Sequence, residues 1–154
     1  NTGGHSMFDR FYHHWSRQMQ EGLITEDEFH NATFSQHYRT VEEFTRPFRN
    51  KNSKVSESGL VLNSCSTMLT PCPYWQEFER NRKTMTSLEY AKKLIPTTRS
   101  WSETVFKTAL EGRDPSEIDH IVDKFYKSYE AEVAANPEGH AMDYVHVVME
   151  IEKA

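Results

Sequence analysis

Met142-Asp143-Tyr144-Val145-His146-Val147-Val148-Met149-Glu150-Ile151-Glu152-Lys153-Ala154 closes the chain, and the reading of this stretch decides the fold class. Its apolar, β-branched run reads as a buried strand standing after several helices. A strand needs a ladder partner for its backbone N–H and C=O groups. The only other convincing strand covers residues 59–70, opening with Leu60-Val61-Leu62 and stopped by Pro71 and Pro73. Two strands are a thin sheet for this much helix, so the expectation is an α/β protein in which these strands end a sheet begun elsewhere.

The 154 residues suit one domain or a fragment of a larger one. Only 36% are apolar and the mean hydropathy is −0.78, which implies a lean core, partly offset by 12% aromatic residues with their large buried areas. Eighteen basic and 23 acidic residues are interspersed, for a net charge of −5. That leaves no electrostatic footprint for nucleic acid or an anionic membrane surface. No stretch approaches the ~20 apolar residues of a membrane span. Cys65 and Cys72 are too few for a disulfide framework and read as two reduced thiols in a cytoplasmic protein.

Helix signals are well punctuated. Met7, Phe8, Phe11, Tyr12, Trp15 and Met19 fall on one broad face of a first helix, with Gly22 just past its end. Thr25-Glu26-Asp27-Glu28, Thr40-Val41-Glu42-Glu43 and Thr86-Ser87-Leu88-Glu89 are capping boxes, in which Thr and Glu each satisfy the other's exposed N–H. The helix after Thr40 is expected to end near Pro47, and Pro96 to break a helix or begin the next. A helix carrying Trp101, Val105, Phe106 and Leu110 follows and ends at Gly112. Asp114-Pro115-Ser116-Glu117 starts an amphipathic helix bearing Ile118, Ile121, Val122, Phe125, Tyr129 and Val133. The resulting plan is a helical region over 7–48, a mobile polar loop over 49–58, a strand over 59–70, helices within 75–135 and a final strand over 142–153.

The order of these pieces resembles a known family. Glu21-Gly22-Leu23-Ile24-Thr25-Glu26-Asp27-Glu28, then residues 34–44 with Tyr38 before a capped helix, resemble the cap region of the SABATH family of plant-type carboxyl methyltransferases. Arg99-Ser100-Trp101-Ser102-Glu103, the helix with Phe125-Tyr126-Lys127-Ser128-Tyr129, and the closing strand through Lys153 follow in that family's order. The resemblance covers roughly residues 7–153. It implies the C-terminal portion of a Rossmann-like, S-adenosylmethionine-dependent methyltransferase, mainly its helical cap plus two late strands.

Such a family aligns a substrate carboxylate with a methyl sulfonium, and its cap supplies apolar walls that exclude water and select the acid. The positions where those walls fall are Met7, Phe8, Tyr38, Thr98, Trp101 and Tyr144, with Met142 as the last one's neighbour. The cofactor site of such folds is a Gly-rich strand-to-helix turn followed by an acidic residue. Gly3-Gly4 follows no strand and the other glycines are isolated, so no S-adenosylmethionine is expected on this chain alone, which should be inactive by itself. The full-length protein would use that cofactor on a small-molecule carboxylic acid. The alternative is a non-catalytic interaction or dimerisation module. Uncovered sheet edges imply a homo-oligomer, or an N-terminal half that completes the sheet.

Other constellations carry little chemistry. His13 and His14 point about a hundred degrees apart on a helix and cannot share one metal. His30 and His37 would share a face only if one helix ran through Phe34. Asp143 and His146 fall on opposite faces of a strand, which leaves His140 a structural or exposed role. No Gly-x-Ser-x-Gly turn exposes a serine nucleophile. Neither cysteine has a basic cluster to lower its pKa.

Overall fold

The structure, a computed structural model, describes residues 6–154, so Gly3 and Gly4 lie outside the described residues. Among the described residues it is a mixed α/β chain of seven helices and a two-stranded antiparallel sheet, and it divides into two units. No helix among the described residues is long and apolar enough to cross a membrane.

Unit 1 comprises residues up to Phe34 and Cys72–Met142, and is all helical. Helix α1 (Met7–Gln20) opens on a capping box between Ser6 and Asp9, and Gly22 beyond its C-cap takes the left-handed conformation (φ 74°) that reverses the chain. Helix α2 (Glu26–Asn31) starts on the Thr25 box as expected. Helix α5 (Pro73–Arg80) uses proline at its first position, where the missing N–H costs nothing. Helix α6 (Ser87–Ala109) begins on the Thr86 box and continues through Pro96 without a break. The lost hydrogen bond is outweighed by the face that the uninterrupted helix buries on both sides of the proline, Leu94 and Ile95 before it, Thr98, Ser102 and Phe106 after. Helix α7 (Pro115–Ala135) is capped by Asp114.

Helices α6 and α7 form an antiparallel hairpin, clasped outside by Arg99 with Asp123 at 2.7 Å and Lys107 with Asp119 at 2.8 Å. Inside, the Ser102 hydroxyl donates to the Thr98 carbonyl (2.7 Å) and sits 2.7 Å from the buried Tyr126 hydroxyl. Helix α1 lies against α7 and supplies Phe11 and Trp15 to a core shared with Phe106, Phe125 and Tyr129. The buried side of α1 is therefore centred on Phe11, His14, Trp15 and Gln18. Tyr12, expected on that face, is exposed and packs on Phe29 of α2 instead.

Unit 2 comprises Ser35–Pro71 and Asp143–Ala154. Helix α3 (Val41–Arg49) starts on the Thr40 box and ends near Pro47 as expected, with the proline in its last turn. The expected loop 49–58 contains a turn of helix, α4 (Lys54–Glu57), capped by Ser53. Ser53 and Ser56 hydroxyls fasten this segment to α3 by donating to the carbonyls of Pro47 and Asn50, the latter at 2.9 Å. Strand β1 (Leu60–Thr70) pairs antiparallel with β2 (Tyr144–Lys153).

The register runs from Leu60 opposite Lys153 to Thr70 opposite Tyr144, with one bulge. Leu62 opposes Ile151 and Ser64 opposes Glu150, so Asn63 is the extra residue. The bulge sets the parity of the sheet. One face collects Leu60, Leu62, Cys65, Thr67 and Leu69 with Val145, Val147, Met149 and Ile151; the other carries Ser64, Ser66, Thr70, His146, Glu150 and Glu152 beside Val61, Met68, Tyr144 and Val148. Were Asn63 to take a place in the ladder opposite Ile151 instead of bulging, Leu60 and Leu62 would point to the more polar side.

The closing strand begins at Tyr144 rather than at Met142, which belongs to unit 1. Nor is it buried as its composition suggests: Val147 and Met149 are half-buried and the rest of β2 is exposed. Two strands cannot cover both of their own faces, and apolar content reports what a strand can bury, not what lies on it.

Candidate functional site

The site is built on an aromatic wall in unit 1. Phe8 and Phe11 stand on successive turns of α1, Trp101 on α6, and Phe34 in the extended segment after α2. The Phe8 ring lies 5.5 Å from Phe34 and 6.3 Å from Trp101; Phe34 and Trp101 are 6.2 Å apart, and Phe11 is 5.5 and 6.0 Å from the same two rings. These are edge-on and tilted contacts, the arrangement that the aromatic quadrupole favours. Phe11 seals the base against Phe106, whereas Phe8 and Phe34 are half-buried and Trp101 is 37% exposed. The wall thus has an apolar outer surface with a closed back.

Of the residues expected to line a cap, Phe8 and Trp101 meet directly in this wall, and Met7 is half-buried beside it on the core. Thr98 is one turn before Trp101 but only 1% exposed; its hydroxyl donates to the Leu94 carbonyl at 3.1 Å and lies 3.4 Å from the Met142 sulfur. It packs the interior instead of presenting a surface. Tyr38 and Tyr144 belong to unit 2. Tyr38 is 78% exposed, with its hydroxyl donating to Gln36 Oε1 at 2.6 Å, and Tyr144 is 52% exposed, stacked beside His146 with ring centroids 6.1 Å apart.

Two features of unit 1 escaped the sequence reading. Phe34 is the first. An aromatic residue in the segment between two capped helices was its only signal. The second is a polar cluster around the half-buried Glu132 of α7, which accepts from Arg10 at 2.5 Å and meets His14 Nε2 at 2.6 Å, while His140 Nε2 lies 3.8 Å from the same carboxylate. His14 and His140 are both buried, and burial lowers the pKa of each despite the nearby Glu132. No local spacing joins positions 14, 132 and 140, so only folding reveals them. The Tyr90 hydroxyl donates to the His140 carbonyl, which fixes the chain after α7.

On the rim of unit 1, Arg113 grips Glu28 with a two-pronged pair, Nε to Oε1 at 2.5 Å and a terminal nitrogen to Oε2 at 2.7 Å. That pairing holds the Glu28 carboxyl down at about 2. Among the described residues no group of three or more His, Cys, Asp or Glu is placed to hold a metal ion, and neither described cysteine is in a disulfide, Cys72 being buried and Cys65 half-buried.

Four glycines lie among the described residues. Gly22 and Gly112 close helices, and Gly59 and Gly139, the latter on the chain between α7 and β2, lead into strands. None of the four stands where a strand turns into a helix, the position from which backbone N–H groups address a dinucleotide-like ligand. Phe8, Phe34 and Trp101 together offer a partly exposed aromatic surface against which an apolar or aromatic body could pack. No family model matches this chain, and no curated protein matches it either.

Proposed function

We propose that this chain is the substrate-recognition part of a small-molecule, S-adenosylmethionine-dependent methyltransferase, one that methylates a carboxylate in the full-length protein. The supporting observation is the half-exposed wall of Phe8, Phe34 and Trp101, closed behind by Phe11 and Phe106. Methylation of a carboxylate asks little acid–base chemistry of the protein, because the acceptor is already a nucleophile; it asks for alignment and for exclusion of water. A rigid aromatic surface meets both demands by gripping the apolar body of the acid. The order of capped helices and late strands that resembles the SABATH carboxyl methyltransferases supports the same reading.

The four described glycines offer the methyl donor no strand-to-helix turn, so no step of the transfer is assigned to this chain's residues. On this reading Rossmann-like strands outside the chain complete the sheet and hold the donor. Titration calorimetry of the chain with S-adenosylmethionine is expected to give no binding heat, and micromolar binding would refute the placement. The full-length polypeptide, given labelled S-adenosylmethionine and a panel of aromatic and aliphatic carboxylic acids, is expected to yield methyl esters. Trp101→Ala should then raise KM several-fold with a smaller effect on kcat. Absence of methyl transfer to every acid would overturn the proposal.

A further inference from the structure

One carboxylate, Glu132 on α7, gathers three basic side chains of unit 1. Arg10 lies 2.5 Å from it, His14 Nε2 2.6 Å and His140 Nε2 3.8 Å. The first two are hydrogen-bonding distances and the third is beyond hydrogen-bond length. Both imidazoles are buried, His140 at 4% exposure, and the Tyr129 ring of α7 walls them at 5.4 and 5.7 Å between centroids. With both rings neutral, Arg10 and Glu132 balance. A proton on one ring leaves one positive charge in excess, and a proton on each leaves two, where water screens them poorly. Arg17 and His13, also on α1, act against a charge on His14, and Arg10 and His14 act against one on His140.

The two rings differ in what holds them. His14 stands on α1 beside Phe11 and Trp15, which are anchored in the core, so its ring cannot leave without the helix. His140 stands on a turn. Its amide donates to the Pro137 carbonyl at 3.3 Å, and its carbonyl accepts from the Tyr90 hydroxyl of α6. Gly139 precedes it with a left-handed φ of 87°, a residue free to change both backbone angles. Glu138 ties the turn to Arg82 at 2.9 Å, Pro137 is buried and Met142 is half-buried against the core, but no helix has to unwind for the turn to open.

We propose that His140 is a proton-operated latch: when its ring takes up a proton from solvent it leaves the Glu132 cluster, and residues 136–142 open while α1, α6 and α7 stay packed. The sign follows from burial. Released into water, the ring takes a proton near the ordinary value of 6.5; closed, it resists one, because burial, with Arg10 and His14 adding to it, outweighs the pull of Glu132. Opening is thus favoured progressively as pH falls below 6.5. It withdraws Met142 from Thr98, whose hydroxyl lies 3.4 Å from the Met142 sulfur, and loosens the stretch that leads into β2. This inference does not rest on the methyltransferase reading.

Amide hydrogen exchange of the chain, followed by NMR at pH 7.5, 6.5 and 5.5 and corrected for intrinsic rates, tests the latch. The probe is the amide of residue 140, bonded to the Pro137 carbonyl. Its protection should fall by up to about ten-fold per pH unit below 6.5, the effect of one proton. That fall should be insensitive to low concentrations of urea, because the opening exposes little surface, whereas the α7 core amides should respond to urea. His140→Gln, which cannot take up the proton, should make the protection independent of pH. Arg10→Gln gives a second reading: with the guanidinium gone, Glu132 is free to receive the imidazolium, and the fall in acid should shrink several-fold. No fall between pH 6.5 and 5.5, a fall with the urea dependence of the α7 amides, or a fall that survives both substitutions would overturn the proposal.

Discussion

His14 Nε2 of α1 lies 2.6 Å from Glu132 Oε2 of α7, with the imidazole buried between the helices. The other ring nitrogen, Nδ1, is buried with no hydrogen-bond partner among the described residues. That geometry matches a neutral ring with its proton on Nε2, donating to the carboxylate. Adding a second proton would leave a buried N–H unsatisfied, which is why burial outweighs the pull of Glu132 and lowers the pKa.

Stability should therefore fall in mild acid. His14 and His140 both have lowered pKa values in the folded chain, set by burial first; Glu132 opposes the shift in each, Arg10 and His14 add to it at His140, and His13 and Arg17 add to it at His14. Above the ordinary histidine value of 6.5 neither state binds the proton and nothing is lost. Below it the unfolded chain takes up protons that the native state refuses, so stability declines as pH falls towards the native values. The slope should reach up to about 1.4 kcal/mol per pH unit for each histidine. Urea midpoints measured between pH 7.5 and 5.5 check this, and His14→Gln should flatten the slope; an unchanged slope would show that His14 is not the sensor.

Glu28 behaves in the opposite range. The Arg113 fork, with help from the Thr25 cap, holds its carboxyl at about 2, below the unfolded value of 4.5. Its contribution is fully present above pH 4.5 and disappears as pH falls towards 2. Glu28→Gln should cost about 1–3 kcal/mol at neutral pH and much less at pH 2. Thermal melts at the two pH values would show the difference, and equal losses at both would refute the ion-pair account.

Ser102 and Tyr126 form the one polar contact inside the α6–α7 hairpin that both cost and direction can test. Ser102 donates to the Thr98 carbonyl, leaving its oxygen to accept from the Tyr126 hydroxyl. Tyr126→Phe removes only a donor and should cost about 0.5–1.5 kcal/mol, whereas Ser102→Ala strands a buried hydroxyl and should cost about 1–3 kcal/mol. Denaturant unfolding of both single variants and the double variant checks the order. If Tyr126→Phe proves the costlier change, the donor assignment is wrong.

Asn63 is the residue that a regular ladder would not need. Deleting it sets Leu62 next to Ser64, opposite Ile151 and Glu150 as before, so Leu60 and Leu62 keep the face they share with Met149 and Ile151. The deletion should change stability by no more than about 0.5 kcal/mol and leave amide exchange over residues 60–62 unchanged. Asn63→Gly keeps the bulge and should likewise be nearly neutral. A loss above about 2 kcal/mol on deletion, or faster exchange over residues 60–62, would show that the bulge itself holds β1 on β2.

What the sequence determined by itself lies within a few residues along the chain. Three Thr-x-x-Glu boxes and Asp114-Pro115 placed four helix starts to the residue, because a cap is a contract between neighbours on one turn. The two strands and the faces of α7 followed from periodicity for the same reason. Tertiary structure decided whatever depends on a distant partner. It carried α6 through Pro96, because burial on either side offset the lost bond. It left β2 exposed, because burial requires a layer that β2 does not carry in its own composition. It brought Phe34 to Phe8 and Trp101, and His14 and His140 to Glu132, across separations that no local pattern spans.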